Sequence, residues 1–251
     1  MNEFTVGPLP IAVTDHGGDG PDVLLLHGGG RTRRDWDTVA ALLRGHGYRP
    51  VSFDLRWHGQ SGPAPWSWPG AEADVAAVIE EFGLRAPVVI GHSLGGMVAA
   101  LWATHHAECP LAVNVDGHGN PTRPEQFTDP DGGSGAYQSL LAFLGTAVEE
   151  LREPYAQIMG EVNGLDLYAA YRATRCPLLV VSGVATGGAG FLPESLRVPW
   201  AAYRRWVWAE LDAVARDVPL VSVASLPTGH DVHLEDPDGL LRLVLAHLTP
   251  K

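Results

Sequence analysis

Cysteine and basic residues are scarce in this sequence, and each scarcity excludes a class of protein. The 251 residues include two cysteines, Cys109 and Cys176, too few for a disulfide framework and at a spacing that matches no metal-binding motif. Lys and Arg total 17 against 29 Asp and Glu, which gives a formal net charge of -12. Such a charge repels phosphate backbones, so we expect no nucleic-acid partner.

Long hydrophobic runs are also absent. No uninterrupted apolar stretch of about 18 residues occurs, so the sequence predicts no membrane-spanning helix. The first residues, MNEFTVGPLPIAV, contain an acid at Glu3 and lack both the basic region and the apolar core of a signal peptide. We therefore expect a cytoplasmic protein that does not associate with membranes.

The chain does contain a regular alternation of two hydrophobic patterns. Short apolar runs bounded by Gly or Pro alternate with segments that are apolar at i, i+3 and i+4. This alternation is typical of parallel strands joined by helices, and it predicts an α/β fold with a mostly parallel sheet flanked by helices. The predicted strands are 22–28, 49–55, 87–93, 111–116, 177–183 and 219–225.

One connection is too long for this alternation. Between Asp116 and Cys176 about 60 residues pass without a convincing strand, far beyond the usual connecting loop. They begin with a Gly/Pro/Asp-rich stretch and continue as an amphipathic helical pattern, AYQSLLAFLGTAVEELREPYAQIMG. We predict that residues 117–175 form a helical cap over the ligand-binding edge of the sheet, with 1–116 and 176–251 as the core. The alternative is that this segment is only an insertion on the protein surface and does not cover the ligand-binding edge.

A serine between two glycines marks the candidate nucleophile. Gly91-His92-Ser93-Leu94-Gly95 follows a predicted strand directly and precedes a predicted helix. A strand-to-helix turn this tight needs glycines two residues either side of the serine, and it projects the hydroxyl above the sheet. Ser93 is therefore the predicted nucleophile, at the positive end of a helix dipole.

A nucleophilic serine also needs donors for the negative charge that develops on the attacked carbonyl oxygen. Three glycines, Gly28 to Gly30, follow the first predicted parallel strand. Their backbone N–H groups can face a substrate without obstruction by side chains. The predicted oxyanion hole combines the amide of Leu94 with that of Gly29 or Gly30.

These segments together resemble a known family. HGGG follows one strand, FDLRWHGQSG (53–62) the next, GHSLGG forms the turn, and LPTGHDVHLEDP lies near the end. The chain resembles the α/β-hydrolase fold superfamily, in its serine-nucleophile branch of esterases, lactonases and thioesterases. The sequence differs from the family pattern at Trp57, where the family usually has glycine. The resemblance implies that Asp54, Arg56 and His58 support the structure of the site and are not catalytic.

The general base must be a histidine from a loop that faces Ser93, and eleven histidines are available. His230 lies after the last predicted strand, before a helix that we expect to begin near Pro237. It occupies the position of the base in the family that the chain resembles. His233, in the same loop, is the alternative.

The third triad residue is where the sequence departs from the resemblance. Most such enzymes carry an Asp after the strand equivalent to PLLVVSG, but here the continuation, VATGGAGF, contains no carboxylate. Asp116 ends the preceding predicted strand and is our first choice, with Glu194 as the second. Since Asp-Gly is a favoured turn dipeptide, Asp116 as a simple turn residue stays open.

The predicted function is hydrolysis of a carboxylic ester, lactone or thioester through an acyl-enzyme on Ser93, without cofactor or metal. The partner is a small-molecule acyl substrate, and the oligomeric state stays open. His118 and Trp200 are candidate substrate-binding residues near the cap. Two alternatives stay open as well: an acyltransferase or cyclase that uses the same triad, and a ligand-binding protein with an idle serine.

Overall fold

A computed structural model describes residues 2–6, 9–127, 135, 138–140, 142–144, 153–185 and 192–248. Eight strands occur in these ranges, and they form one sheet in the order β1-β2-β4-β3-β5-β6-β7-β8. The strands are β1 Asn2–Val6, β2 Ile11–Asp15, β3 Asp22–Leu26, β4 Arg49–Phe53, β5 Val88–His92, β6 Ala112–Val115, β7 Leu178–Gly183 and β8 Val221–Leu226.

The mostly parallel sheet of the sequence prediction is confirmed. Strands β3 to β8 pair in parallel, and each falls within a predicted strand or overlaps it. The hairpin β1–β2, which pairs antiparallel with β4 through β2, is an addition that the sequence analysis missed. Its strands have five residues each and lie at the sheet edge, where a short strand leaves only a weak hydrophobic pattern.

Helices cover both faces of the sheet. Their bounds are α1 Asp37–Gly45, α2 Trp68–Glu81, α3 Leu94–His105, α4 Tyr155–Gly164, α5 Leu167–Arg172, α6 Glu194–Asp217, α7 Val232–Glu235 and α8 Pro237–Leu248. The predicted start of the last helix at Pro237 is correct. Of the helices in the described ranges, none is long and apolar enough to cross a bilayer.

Alternation along the central strands creates two hydrophobic layers. On β3, Leu24 and Leu26 pack with α2 and α3 residues on one face of the sheet. Val23 and Leu25 pack with α1 and α8 residues on the other. Because the side-chain period of a strand is two, a run such as DVLLL is buried on both faces. The result is a rigid support whose carboxyl edge carries the loops described below.

The connection between β6 and β7 contains α4 and α5 and a short 3-10 turn, Pro124–Gln126. Helix α4 packs on the start of α2 and the residues just before it: Trp66 N donates to Gln157 Oε1 at 3.1 Å, and Trp68 Nε1 donates to the Glu161 carbonyl at 3.3 Å. Of the predicted amphipathic helix, residues 136–137, 141 and 145–152 lie outside the described residues, as do 128–134 of the Gly/Pro/Asp stretch. The division into core and cap therefore stays a prediction.

Candidate active site

Ser93 lies in a strained turn between β5 and α3, with φ of 49° and ψ of -114°. The flanking glycines make this turn sterically possible. A Cβ on Gly91 would lie 2.0 Å from the Gly95 carbonyl oxygen, and one on Gly95 would lie 2.5 Å from the Leu26 carbonyl oxygen. Such a backbone costs about 1–3 kcal/mol and persists only where neighbours enforce it. Here the Ser93 N–H donates to the Val115 carbonyl at 2.9 Å.

The predicted oxyanion-hole residues surround the same cavity as the serine. Gly29, Gly30 and Leu94 line it together with Ser93. Leu94 is the first residue of α3, so its N–H has no carbonyl partner within the helix. Gly30 has a φ of +72°, a backbone conformation that residues other than glycine rarely adopt.

Buried polar contacts hold the glycine loop in place. His27 Nε2 accepts from the Leu55 N–H at 2.9 Å, and its Nδ1 donates to the Gly28 carbonyl at 2.7 Å. Burial lowers the pKa of His27 to about 4, so the ring is neutral. Asp54 accepts from the backbone N–H groups of Arg33 at 2.7 Å and Gln60 at 2.8 Å. His27 and Asp54 thus support the loop and do not line the cavity.

His230 lies in the loop after β8 and lines the cavity with Ser93. Its Nδ1 donates to Asp116 Oδ2 at 2.8 Å, which leaves Nε2 as the nitrogen available for proton transfer. The His230 carbonyl accepts from His92 Nε2 at 2.9 Å, so the turn residue before the serine fixes the backbone of this loop. His233, the alternative base, is buried against Trp36 and His92 and is not among the cavity-lining residues.

Asp116 follows β6 with φ of 48°, and its carboxylate is fully buried. Oδ2 accepts from His230, while Oδ1 accepts from Arg204 Nη2 at 2.9 Å and from the Gly183 N–H at 3.2 Å. Burial alone would raise the pKa of this carboxyl, but the hydrogen bond from His230 and the Arg204 guanidinium hold it well below its usual range. Asp116 is therefore ionised at neutral pH.

The structure brings Asp116, and not Glu194, to the histidine. Glu194 begins α6 as an exposed residue. The partner that the sequence analysis missed is Arg204, in the same helix. A signal was present, because Arg204 lies four residues after Trp200 and three before Val207, and so on the apolar face of the helix.

The cavity that Ser93 and His230 line, the candidate catalytic cavity, has a volume of about 350 Å³ and a mainly apolar wall. No Asp, Glu, Lys or Arg occurs among its lining residues in the described part of the chain. His118 and Trp200, both predicted to bind substrate, line it with ring centroids 5.8 Å apart. Burial lowers the pKa of His118 to about 3, so the ring is neutral. The remaining side chains that line the cavity are Met97, Asn120, Tyr155, Ile158, Met159 and Val162.

A second cavity of about 220 Å³ adjoins the first. The two share His118, Asn120 and Val162 as lining residues, and Asp116 lines the second. Tyr203, whose hydroxyl donates to the Gly119 carbonyl at 2.6 Å, forms part of its wall. The loop that follows β6 therefore separates an apolar space from a more polar one.

Three side chains come close enough to hold a metal ion: donor atoms of Asp116, His118 and His230 lie within 4.8 Å of one another. Two contacts oppose a cation there. The Asp116 oxygens are already bonded to His230 and Arg204, and the Arg204 guanidinium would repel the ion. The arrangement fits proton transfer better than metal binding.

Similar proteins include several esterases and haloperoxidases. The chain is 33% identical over 102 residues to a bifunctional esterase/perhydrolase of Acinetobacter calcoaceticus, covering 39% of this chain and 36% of that protein. It is 40% identical over 121 residues to a non-heme chloroperoxidase of Streptomyces lividans, covering 45% and 42%. The matched region spans less than half the length of these curated relatives.

The fold is shared with solved structures at low sequence identity. The enol-lactonase from Burkholderia xenovorans LB400 matches with a TM-score of 0.69 and 16% identity, over 99% of this chain and 100% of that one. A likeness at this identity concerns the fold alone. The model of the alpha/beta hydrolase family matches residues 23–243. This match spans most of the sequence, and the chain therefore belongs to the α/β hydrolase family.

Proposed function

We propose that this protein is a serine hydrolase that cleaves a carboxylic ester, lactone or thioester through an acyl-enzyme on Ser93. One observation carries the proposal. Ser93 and His230 line one cavity with Gly29, Gly30 and Leu94, and the far nitrogen of His230 is bonded to a buried carboxylate at 2.8 Å. This is the set of groups that acyl transfer requires.

In the acylation half-reaction, His230 Nε2 accepts the proton of the Ser93 hydroxyl as Oγ attacks the carbonyl carbon. The N–H groups of Leu94 and of Gly29 or Gly30 stabilise the resulting oxyanion. The intermediate then collapses, and the leaving alcohol or thiol takes the proton from the His230 imidazolium. Asp116 stabilises that imidazolium and holds the tautomer with the proton on Nδ1.

In the deacylation half-reaction, water replaces the leaving group. His230 Nε2 accepts a proton from the water while the water oxygen attacks the acyl carbon. Collapse of the second intermediate breaks the bond to Oγ, and Ser93 recovers its proton from the imidazolium. The products are a free acid and the resting enzyme.

The cavity favours an uncharged acyl group. Its wall includes Leu94, Met97, Ile158, Met159, Val162 and Trp200, and an ionised group there would find no counter-charge among the described lining residues. Burying an unpaired charge is costly, whereas burying an apolar chain is favourable. We therefore propose short to medium aliphatic or aromatic acyl groups as substrates.

Labelling and turnover test the proposal together. A fluorophosphonate probe should modify the wild-type protein on Ser93 at neutral pH, and p-nitrophenyl butyrate should be hydrolysed. Ser93→Ala should abolish labelling and lower kcat by about 10⁴-fold or more. Absence of an adduct on wild-type Ser93 would favour the ligand-binding alternative, and a transferred or cyclised acyl product in place of a free acid would favour the acyltransferase.

A further inference from the structure

Arg204 of α6 makes a buried ion pair with the triad carboxylate. Its Nη2 lies 2.9 Å from Asp116 Oδ1, and the two side chains are 5% and 1% exposed. The same nitrogen lies 3.3 Å from the Gly183 carbonyl oxygen. The contact joins the end of β6, the end of β7 and α6, which are far apart in the chain.

Stability alone does not account for a charged pair at this position. A buried ion pair contributes little net stability, because the desolvation of both charges offsets their attraction. An apolar pair of similar volume would support the same helix at least as well. Arg204 and His230 also bind the same carboxylate, one on each oxygen. A change at Arg204 therefore alters the charge that His230 experiences, in addition to any effect on stability.

We propose that Arg204 is a positioning residue that orients the Asp116 carboxylate towards His230 and sets the pH range of the base. This inference depends on the proposed function. A carboxylate rotates about its Cβ–Cγ bond unless its oxygens are held. Arg204 and the Gly183 N–H both bind Oδ1, so Oδ2 is the oxygen that faces His230 Nδ1.

The placement of the acid explains why an extra anchor is needed. Asp116 follows β6, and Gly183 at the end of β7 supplies one N–H group but no carboxylate. The N–H bond to Oδ1, at 3.2 Å, is long for a hydrogen bond that acts alone. The Arg204 bond at 2.9 Å is charge-assisted and comes from a helix packed against the loop.

Arg204 also changes the electrostatic field at the base. The charged and titratable groups that contact or adjoin the His230 side chain and its loop are Asp116, Arg204, His118, His92, His233, Asp231, Glu235 and Arg31. A guanidinium close to the imidazole disfavours the imidazolium. Removal of Arg204 therefore makes protonation of the base easier, and the acidic limb of the kcat/KM profile moves to higher pH.

The test compares Arg204→Met, Arg204→Lys and Arg205→Met, with p-nitrophenyl butyrate as substrate. Arg204→Met should lower kcat about 10- to 100-fold with KM within about twofold, and should move the acidic limb up by about one pH unit. Arg204→Lys keeps the charge but loses the planar geometry, so kcat falls about tenfold while the limb stays in place. Arg205, the exposed neighbour, is the matched control and should change neither.

Folding and coupling controls keep the test decisive. Thermal unfolding is measured for each variant, and Arg204→Met is combined with Asp116→Asn. If Arg204 acts through Asp116, the double variant should have the kcat of Asp116→Asn alone. Should Arg204→Met fail to fold, the limb position and reduced kcat of Arg204→Lys carry the test.

Two outcomes would overturn the inference. One is a folded Arg204→Met enzyme with a lower melting temperature but an unchanged pH profile and kcat. The other is an Arg204→Lys enzyme with wild-type kcat. A wild-type protein without esterase activity would instead contradict the proposed function, so the two failures are distinguishable.

Discussion

At the residue scale, the site uses two adjacent strand ends with the same unusual backbone. Ser93 after β5 and Asp116 after β6 both have positive φ, at 49° and 48°. Neither residue is glycine, so each conformation costs energy that the surrounding hydrogen bonds must offset. Both turns lie at the carboxyl edge of the sheet, where Ser93 lines the same cavity as His230 and the Asp116 carboxylate accepts a hydrogen bond from His230 Nδ1.

Replacement of Asp116 by Asn tests the acid directly. The amide keeps the shape of the side chain but removes its charge and favours the wrong tautomer of His230. We expect kcat for p-nitrophenyl butyrate to fall about 10³- to 10⁴-fold with the fold intact. Glu194→Gln is the matched comparison and should retain wild-type turnover. Near-normal turnover in Asp116→Asn, with about 1 kcal/mol or less of lost stability, would mean that Asp116 is only a turn residue.

At the element scale, two helices that follow β6 along the chain contribute to the cavity wall. Helix α4 contributes Tyr155, Ile158, Met159 and Val162. Helix α6 contributes Trp200 to the candidate catalytic cavity and also carries Arg204, which binds the Asp116 carboxylate. The sequence already named Trp200 of this helix as a candidate substrate-binding residue, but it did not indicate that Arg204 of the same helix pairs with Asp116.

Helix α4 should therefore control acyl length. Met159→Trp places a larger ring in the candidate catalytic cavity, and we expect kcat/KM for p-nitrophenyl octanoate to fall about tenfold relative to the acetate ester. Glu161→Trp introduces the same side chain on the same helix, at a residue outside both cavity linings. An equal loss for both esters, or an equal effect of the two variants, would contradict a role of α4 in acyl selection.

At the scale of the whole molecule, buried neutral histidines make stability depend on pH. Burial lowers the pKa of His27 to about 4, and burial followed by the charge of Arg31 lowers that of His233 to about 3. The unfolded chain has the ordinary value of 6.5, so unfolding takes up protons below that pH. The contribution of these residues is fully present above pH 6.5 and is lost as the pH falls towards 4.

The free energy of unfolding should accordingly fall by about 2 kcal/mol for each of these two histidines between pH 7.5 and pH 5. Urea denaturation at both pH values measures it. His233 has both ring nitrogens buried without a partner among the described residues, so His233→Phe should keep the packing on Trp36 and reduce the pH dependence. An unchanged slope in His233→Phe would show that other groups are responsible.

The sequence by itself determined what depends on neighbours along the chain. The parallel strands follow from short apolar runs. The turn at Ser93 follows from Gly91 and Gly95, since a Cβ added at either position would strike backbone. The position of His230 in a loop between the last strand and a helix is equally local.

Only the tertiary structure decided which acid lies beside His230. Asp116 lies 114 residues from His230 and 88 from Arg204 along the chain. The sequence ranked Asp116 before Glu194, but chain order could not decide between them, since both precede His230. The choice depends on distances across the carboxyl edge of the sheet, which exist only after β6, β7 and α6 pack together.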